Sequence, residues 1–237
     1  MAIYVSASSL KDFIKCSKKV YYRIFEPSLA VQSEASTLGI IAHKILEQSW
    51  DDKERAVSLA SKMCLQENLG DHAINSIETY VHTYFEKFSK LLKPSDLIEH
   101  RFKVKLDTDV FLVGVFDRVS AGNVYDWKTT TKTPTRIDND IQFNIYNMAY
   151  KMLFNSPPTG LYLASLREGR LVRYVESKQH IDTLRNGIIP EFVETIRKKE
   201  FIKSGLFSNQ CYYCPYKTDC LSKGEEDVVV HTNFIQG

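Results

Sequence analysis

Hydrophobic residues recur at helical intervals through the first 92 residues of the chain. The first series runs from Leu10 towards Pro27 and is preceded by Ser9-Leu10-Lys11-Asp12, which has the form of a capping box. We expect one amphipathic helix here, with Cys16 inside it, ending before Pro27. Three further helices are predicted over Leu38–Trp50, 52–68 and 72–92. The pattern therefore predicts an α-helical front section.

The spacing changes at Leu97, where short segments rich in β-branched and aromatic residues alternate with turn-forming residues. They predict a three-stranded antiparallel meander with strands at Leu97–Leu106, Val110–Val119 and Val124–Thr129. Beyond it the pattern predicts a helix, then two strands turning at Glu168-Gly169, then a long helix, over Ile137–Phe154, Gly160–Leu166, Leu171–Glu176 and Ile181–Ile202. This order of elements indicates an α/β fold.

The length of 237 residues suits one domain with a substantial core. We expect it to comprise the front section at 1–95, a core at 96–203 and a cysteine-rich tail at 204–237. The sequence contains no signal-peptide pattern and no run near the roughly 18 apolar residues of a membrane span. We therefore expect no membrane association and a cytoplasmic location, in the host cytoplasm if the source is viral.

The formal net charge of +2 is too small to indicate a nucleic-acid partner by itself. Two local basic patches could nevertheless contact DNA, or could simply be solvated helix faces. The first patch lies in the first predicted helix and the second near the end of the last one: Lys11, Lys15, Lys18 and Lys19, then Arg197, Lys198, Lys199 and Lys203.

The turn at Ala121-Gly122 carries the most informative local geometry. A two-residue hairpin centred there places Asp117 directly opposite Asp126, and Lys128 on the same face of the sheet. Two facing carboxylates repel each other unless a cation lies between them, and oxygen ligands favour Mg²⁺ or Mn²⁺. The alternative is an ordinary surface hairpin in which Lys128 forms a salt bridge with an aspartate.

Four motifs in the order of a known family surround this hairpin. Gly39-Ile40-Ile41-Ala42-His43, Gly114-Val115-Phe116-Asp117-Arg118, Asp126-Trp127-Lys128-Thr129 and Gln142-Phe143-Asn144-Ile145-Tyr146 resemble the G-x-x-x-H, G-x-x-D-R, D-x-K-T and Q-x-x-x-Y motifs of RecB-type nucleases in the PD-(D/E)xK superfamily. The resemblance spans Ser6 to about Cys220. It implies a restriction-endonuclease-like core, a mixed sheet flanked by helices, with the metal site on its central hairpin.

The resemblance also implies roles for individual residues. Metal ligands would be His43, Asp117, Asp126 and the Trp127 carbonyl, and Lys128 would stabilise charge that develops on the phosphate. Gln142 and Tyr146, one helical turn apart, would present an amide and a phenol to DNA. Glu99 occupies a strand where related nucleases often carry another acidic residue, or it belongs to a surface stretch with His100 and Arg101.

Three cysteines of the tail, Cys211, Cys214 and Cys220, form C-x2-C-x5-C, which lacks a fourth ligand for a tetrahedral site. Cys16 is the candidate for that ligand. This arrangement resembles the iron staple of AddB-type and CRISPR-associated RecB-like nucleases, which holds a [4Fe-4S] cluster, although a structural Zn²⁺ could use the same thiolates. Cys64 has no partner at ligand spacing and is expected to be a buried free thiol.

Together these features predict a metal-dependent deoxyribonuclease, an exonuclease on single-stranded DNA or DNA with a free end, with a helicase or CRISPR-adaptation complex as possible partner. The alternative is a non-catalytic DNA-binding subunit of a recombination or CRISPR-adaptation complex. A degenerate nuclease of that kind should lack at least one of His43, Asp117, Asp126 and Lys128, and all four are present.

Overall fold

The computed structural model of the protein describes residues 2–130, 136–207 and 209–222. Its strands are β1 (Ile3–Val5), β2 (Leu97–Lys105), β3 (Val110–Ser120), β4 (Asn123–Lys128), β5 (Gly160–Ser165) and β6 (Arg170–Arg173). Its α-helices are α1 (Ala7–Lys15), α2 (Ser17–Phe25), α3 (Glu34–Gln48), α4 (Lys53–Gln66), α5 (Asp71–Lys87), α6 (Arg136–Phe154), α7 (Lys178–Thr183), α8 (Ile189–Lys198) and α9 (Lys217–Ser222). The part of the predicted tail beyond residue 222 lies outside the described residues.

A six-stranded mixed sheet has the order β1-β3-β4-β5-β6, with β2 on the opposite edge of β3 from β1. The predicted antiparallel meander, β2-β3-β4, is confirmed, and so is the antiparallel pair β5-β6. Strand β5 runs parallel to β4, which requires the crossover that α6 supplies. β1 was not predicted, because three residues are too few to show an alternating pattern, and its pairing depends on the distant β3.

Two hydrophobic clusters cover the two faces of the sheet. The neighbouring residues Val124 and Tyr125 of β4 belong to different clusters, as expected for side chains that alternate across a strand. Helices α1, α2, α6 and α8 supply the first cluster, and α3, α4 and α5 supply the second. The expected mixed sheet flanked by helices is therefore confirmed.

The predicted first helix is in fact two helices, and its capping prediction was displaced by three residues. The capping box is formed by Ser6 and Ser9, with Ser6 as the N-cap of α1. Cys16 ends α1 and precedes α2 with extended backbone angles, φ −168° and ψ 109°. The helical spacing of hydrophobic residues continues across this break, so this spacing alone did not reveal the break.

The predicted long helix Ile181–Ile202 is also interrupted. It begins earlier, as α7, passes through a π-helical turn at Leu184–Ile188, and continues as α8 to Lys198. Lys199 then adopts a left-handed conformation with φ 59°, so the helix ends at Lys198, four residues before the predicted position. Among the described residues, the helices are too short or too polar to span a bilayer.

Candidate active site

The hairpin between β3 and β4 has the predicted register. Ser120 pairs with Asn123, Val119 with Val124 and Arg118 with Tyr125. Both turn residues have positive φ, 46° at Ala121 and 81° at Gly122, as a tight two-residue hairpin requires. Continuing this register by one residue places Asp117 opposite Asp126, and both carboxylates are buried.

Strands β3 and β4 separate at Asp117. The β1–β3 ladder covers Val110–Leu112 and the β3–β4 ladder covers Arg118–Ser120, so residues 113–117 of β3 lie between the two ladders. The Trp127 backbone N–H donates a 2.7 Å hydrogen bond to Asp117 Oδ2. A side-chain carboxylate thus replaces a backbone carbonyl as the acceptor, which opens a gap in the sheet at the carboxylates.

Strand β2 adds a third carboxylate, that of Glu99. The β2–β3 pairs on either side are Ile98 with Arg118 and His100 with Phe116, so Glu99 faces Asp117. We call Glu99, Asp117 and Asp126 the carboxylate row. Glu99 has φ 43°, a conformation that is unfavourable for a residue with a Cβ atom, and such strain is concentrated at functional sites.

Helix α3, which packs on the face of the sheet covered by the second hydrophobic cluster, places His43 beside the carboxylate row. Its Nδ1 lies 3.1 Å from Glu99 Oε1 and 3.6 Å from Asp117 Oδ1, and its Nε2 lies 3.1 Å from the Trp127 carbonyl oxygen. One helical turn earlier, a Cβ atom on Gly39 would lie 3.5 Å from Thr129 Oγ1. The G-x-x-x-H and D-x-K-T motifs are therefore in direct proximity.

The residues at this point suit a divalent cation. Ligand atoms of His43, Glu99 and Asp117 lie within 4.8 Å of one another. Among the described residues, Asp126 Oδ2 is a buried oxygen without a hydrogen bond of normal geometry, although Lys128 Nζ lies 2.6 Å away. Carboxylate oxygens with one imidazole nitrogen are ligands suited to Mg²⁺ or Mn²⁺. The sequence left open whether Glu99 belongs to the site or to a surface stretch. The structure places its carboxylate beside His43.

Burial and mutual charge set the protonation of these groups in the metal-free protein. Burial lowers the pKa of His43, but Asp117 and Glu99 outweigh it and raise that pKa to about 9. Burial raises the pKa of the Asp117 carboxyl, and His43 offsets only part of this effect. Burial also lowers the pKa of Lys128, but Asp126 and Asp117 more than compensate, so its net shift is upward. The raised pKa keeps Lys128 in its positively charged form.

Helix α6 holds Gln142 and Tyr146 against Asp126. The Gln142 amide donates to Asp126 Oδ1 at 2.5 Å, and the Tyr146 hydroxyl donates to the same oxygen at 3.2 Å. Lys128 and Lys11 both donate to Gln142 Oε1, at 3.3 and 2.8 Å. Tyr146 is buried and positions Asp126, while contact of either residue with DNA stays a prediction.

The first basic patch is divided among three environments. Lys11 reaches the active site through Gln142, whereas Lys18 is buried with its ammonium 4.2 Å from the centre of the Tyr21 ring. Lys15 and Lys19 line a cavity beside the cysteines. In the second patch, Arg197 pairs with Asp109 and Lys198 with Glu194. The predicted DNA contacts of these patches remain untested, and Lys11 is the best placed.

The four predicted cluster ligands line one cavity, between the α1–α2 break and the tail: Cys16, Cys211, Cys214 and Cys220. A Cβ atom on Gly205 would lie 3.0 Å from Cys211 Sγ and 3.6 Å from Cys16 Sγ, so a glycine allows the chain to pass close to the thiols. The fifth cysteine, Cys64, is fully buried in the second hydrophobic cluster. Its placement agrees with the expected buried free thiol.

Comparison with known proteins agrees with this geometry. Residues 4–221 match the family described as the PD-(D/E)XK nuclease superfamily. No curated protein matches the chain. A solved structure from Eubacterium rectale, described as a "Putative exonuclease", is similar with a TM-score of 0.58 over 84% of each chain at 13% identity, which supports the fold. The chain belongs to the PD-(D/E)XK nuclease superfamily.

Proposed function

We propose that this nuclease is a Mg²⁺- or Mn²⁺-dependent exonuclease that degrades single-stranded DNA. The observation that carries the proposal is the carboxylate row with His43 and the cation Lys128 beside it. The metal ligands would be His43, Glu99, Asp117, Asp126 and the Trp127 carbonyl oxygen.

A divalent metal bound there would supply an activated water and would neutralise charge on the phosphate. Side chains of the protein would stabilise the charge on the phosphate and orient a metal ligand. Lys128, positively charged beside Asp126, stabilises the additional negative charge of the phosphate in the transition state. Gln142 and Tyr146 fix the orientation of Asp126 through their hydrogen bonds, which keeps a ligand oxygen directed at the reaction site.

The preference for single strands rests on the motif resemblance alone, and the preference for free ends also on the description of the Eubacterium rectale structure as an exonuclease. A helicase or CRISPR-adaptation complex as partner rests on the motif resemblance alone. Lys11 supports a DNA path along α1, because its ammonium lies at the edge of the catalytic site. Strand separation itself would be the task of such a partner.

We also propose a [4Fe-4S] cluster at the four cysteines. The proposal rests on the resemblance to the iron staple and on the four cysteines that line one cavity, and a structural Zn²⁺ bound to the same thiolates is the alternative. Elemental analysis of anaerobically purified protein distinguishes iron from zinc.

The decisive experiment is digestion of linear single-stranded, linear double-stranded and circular single-stranded DNA, labelled at either end, with Mn²⁺ or EDTA. We expect Mn²⁺-dependent release of short products from linear single strands and an intact circle. Asp126→Asn should be inactive, and Asp182→Asn, exposed on α7, should match the wild type. Cleavage of the circle would contradict the exonuclease proposal, and retained activity of Asp126→Asn would contradict the site.

A further inference from the structure

Two adjacent tyrosines near the end of the described chain, Tyr212 and Tyr213, leave their rings in solvent. They are 71% and 84% exposed, and their ring centres lie 4.8 Å apart. They separate Cys211 from Cys214, and both cysteines line the cavity of the four predicted cluster ligands, which we call the cysteine cavity. This loop thus turns its cysteines inward and its tyrosines outward. Two neighbouring aromatic rings left in water indicate a binding surface.

The surroundings of these rings carry positive charge. Of the described residues that line the cysteine cavity, none is acidic and four are lysines: Lys15, Lys19, Lys203 and Lys217. The Lys217 ammonium lies 5.3 Å from the centre of the Tyr212 ring. Lys19 also pairs with Asp12, at 2.7 Å, and metal-bound thiolates would balance part of the charge of the other lysines. Exposed rings beside ammonium groups suit a ligand that combines flat rings with negative charge.

Helix α1 connects the cysteine cavity with the catalytic site. Lys15 lines the cavity, and Lys11, one helical turn earlier on the same side of α1, donates to Gln142 Oε1. Gln142 in turn donates to the Asp126 carboxylate. Because four helical residues rise by only about 6 Å, a strand of several nucleotides is long enough to reach from the proposed metal site to the tyrosines.

We propose that Tyr212 and Tyr213 form a platform on which bases of the single-stranded DNA substrate stack, several nucleotides from the phosphate that is cut. Every base has a flat face that can stack on a tyrosine ring, so this contact needs no particular sequence, and the neighbouring lysines would bind backbone phosphates. Only bases outside a duplex can be turned onto such rings, so the platform favours single strands. This inference rests on the proposed single-strand nuclease function and adds the surface that holds the substrate.

The test measures DNA affinity by fluorescence anisotropy in EDTA, so that no cleavage occurs. The two probes are labelled oligo-dT of about 15 nucleotides and an abasic oligomer with the same number of phosphates. The double variant Tyr212→Ala, Tyr213→Ala should raise the Kd of oligo-dT about fivefold or more and leave the Kd of the abasic oligomer unchanged. Replacement of both tyrosines by phenylalanine keeps the rings and should keep the wild-type Kd.

The matched control is Tyr4→Ala. Tyr4 is a half-exposed tyrosine with Lys103 Nζ 5.0 Å from its ring centre, and it does not line the cysteine cavity. This variant should bind both probes like the wild type. The metal content and the unfolding temperature of each variant report whether the cysteine cavity is intact. If the double variant loses its metal, Tyr213→Ala alone, at the more exposed position, replaces it in the test.

Unchanged affinity of the alanine variant for oligo-dT, or an equal loss of affinity for the abasic oligomer, would overturn the platform. The nuclease function would still stand if the wild type cleaves oligo-dT with Mn²⁺. Wild-type protein that binds oligo-dT through the two tyrosines but does not cleave it with Mn²⁺ would overturn the nuclease function and leave the platform in place. Wild-type protein that does not bind oligo-dT would overturn both.

Discussion

The Asp117 carboxylate and the Trp127 backbone N–H are joined by a 2.7 Å hydrogen bond at the point where β3 and β4 separate. Asp117 closes the end of the hairpin and, under the proposed function, would also supply an oxygen to the metal. One side chain would thus couple the stability of the sheet to the chemistry of the site.

Substitution of Asp117 should separate these two roles. Asp117→Asn keeps an oxygen acceptor for the Trp127 N–H, whereas Asp117→Ala leaves that donor without a partner. We expect both variants to be inactive, and the alanine variant to be less stable than the asparagine variant by about 1–3 kcal/mol. Urea unfolding in EDTA measures the difference. Equal stability of the two variants would show that the hydrogen bond contributes nothing.

Removal of the Lys128 charge should affect turnover more than binding. Lys128→Met keeps the length of the side chain but not its charge, so kcat should fall by about 10² or more while most of the DNA affinity remains. Single-turnover cleavage and fluorescence anisotropy measure the two effects, with the exposed Lys151→Met as the control. Wild-type turnover with saturating Mn²⁺ would refute this site and favour a binding subunit.

Glu99 should contribute mainly to metal affinity. Glu99→Gln keeps the shape of the side chain and removes its charge, so we expect Mn²⁺ binding to weaken about 10- to 100-fold. Much of kcat should be recovered at high Mn²⁺. The control is Glu194→Gln, whose carboxylate forms an exposed ion pair with Lys198 on α8. Unchanged Mn²⁺ affinity, measured by calorimetry, would exclude Glu99 from the site.

The raised pKa of His43 predicts pH-dependent stability and metal binding. The pKa is about 9 in the folded, metal-free protein and 6.5 ordinarily, so the charged imidazole stabilises that fold. This contribution is fully present below about pH 6.5 and is lost as the pH rises through about 9. Mn²⁺ binds the neutral imidazole ring. As the pH rises from about 6.5 to about 9, Mn²⁺ binding should therefore strengthen and should release fewer protons.

Thermal unfolding in EDTA and calorimetry in two buffers with different ionisation enthalpies test these expectations. His43→Ala should lose this part of the pH dependence of unfolding. Proton release that does not change between pH 6.5 and 9 would mean that His43 is not a ligand.

The cysteine variants should differ in colour and in stability. The wild-type protein, purified anaerobically, should be brown, with absorbance near roughly 400 nm from thiolate-bound iron and sulfide. Cys16→Ala should bleach it and destabilise the fold, because a crosslink across nearly the whole chain contributes about 4–5 kcal/mol through the lost freedom of the unfolded chain. Cys64→Ala should keep the colour. Colourless wild-type protein with stoichiometric zinc would refute the iron cluster but not the role of the four thiols.

The sequence by itself determined the features that depend on neighbouring residues. The two turn residues Ala121 and Gly122 fix an even hairpin register, and continuing that register by one pair beyond Arg118 and Tyr125 sets Asp117 opposite Asp126. Hydrophobic periodicity likewise located most helices and strands, because it records which face each element buries.

Only the tertiary structure decided what depends on pairing and packing between distant segments. Glu99 reaches His43, 56 residues away, because β2 pairs with β3 in one particular register. Cys16 lies at a break between helices, where the backbone N–H of Lys18 donates to the Ile202 carbonyl, and no local pattern encodes that contact. Lys18 is buried although its sequence pattern suggests a solvated face. Local propensities specify whether a segment is a helix or a strand and which of its faces is buried, whereas long-range packing decides which residues contact that face.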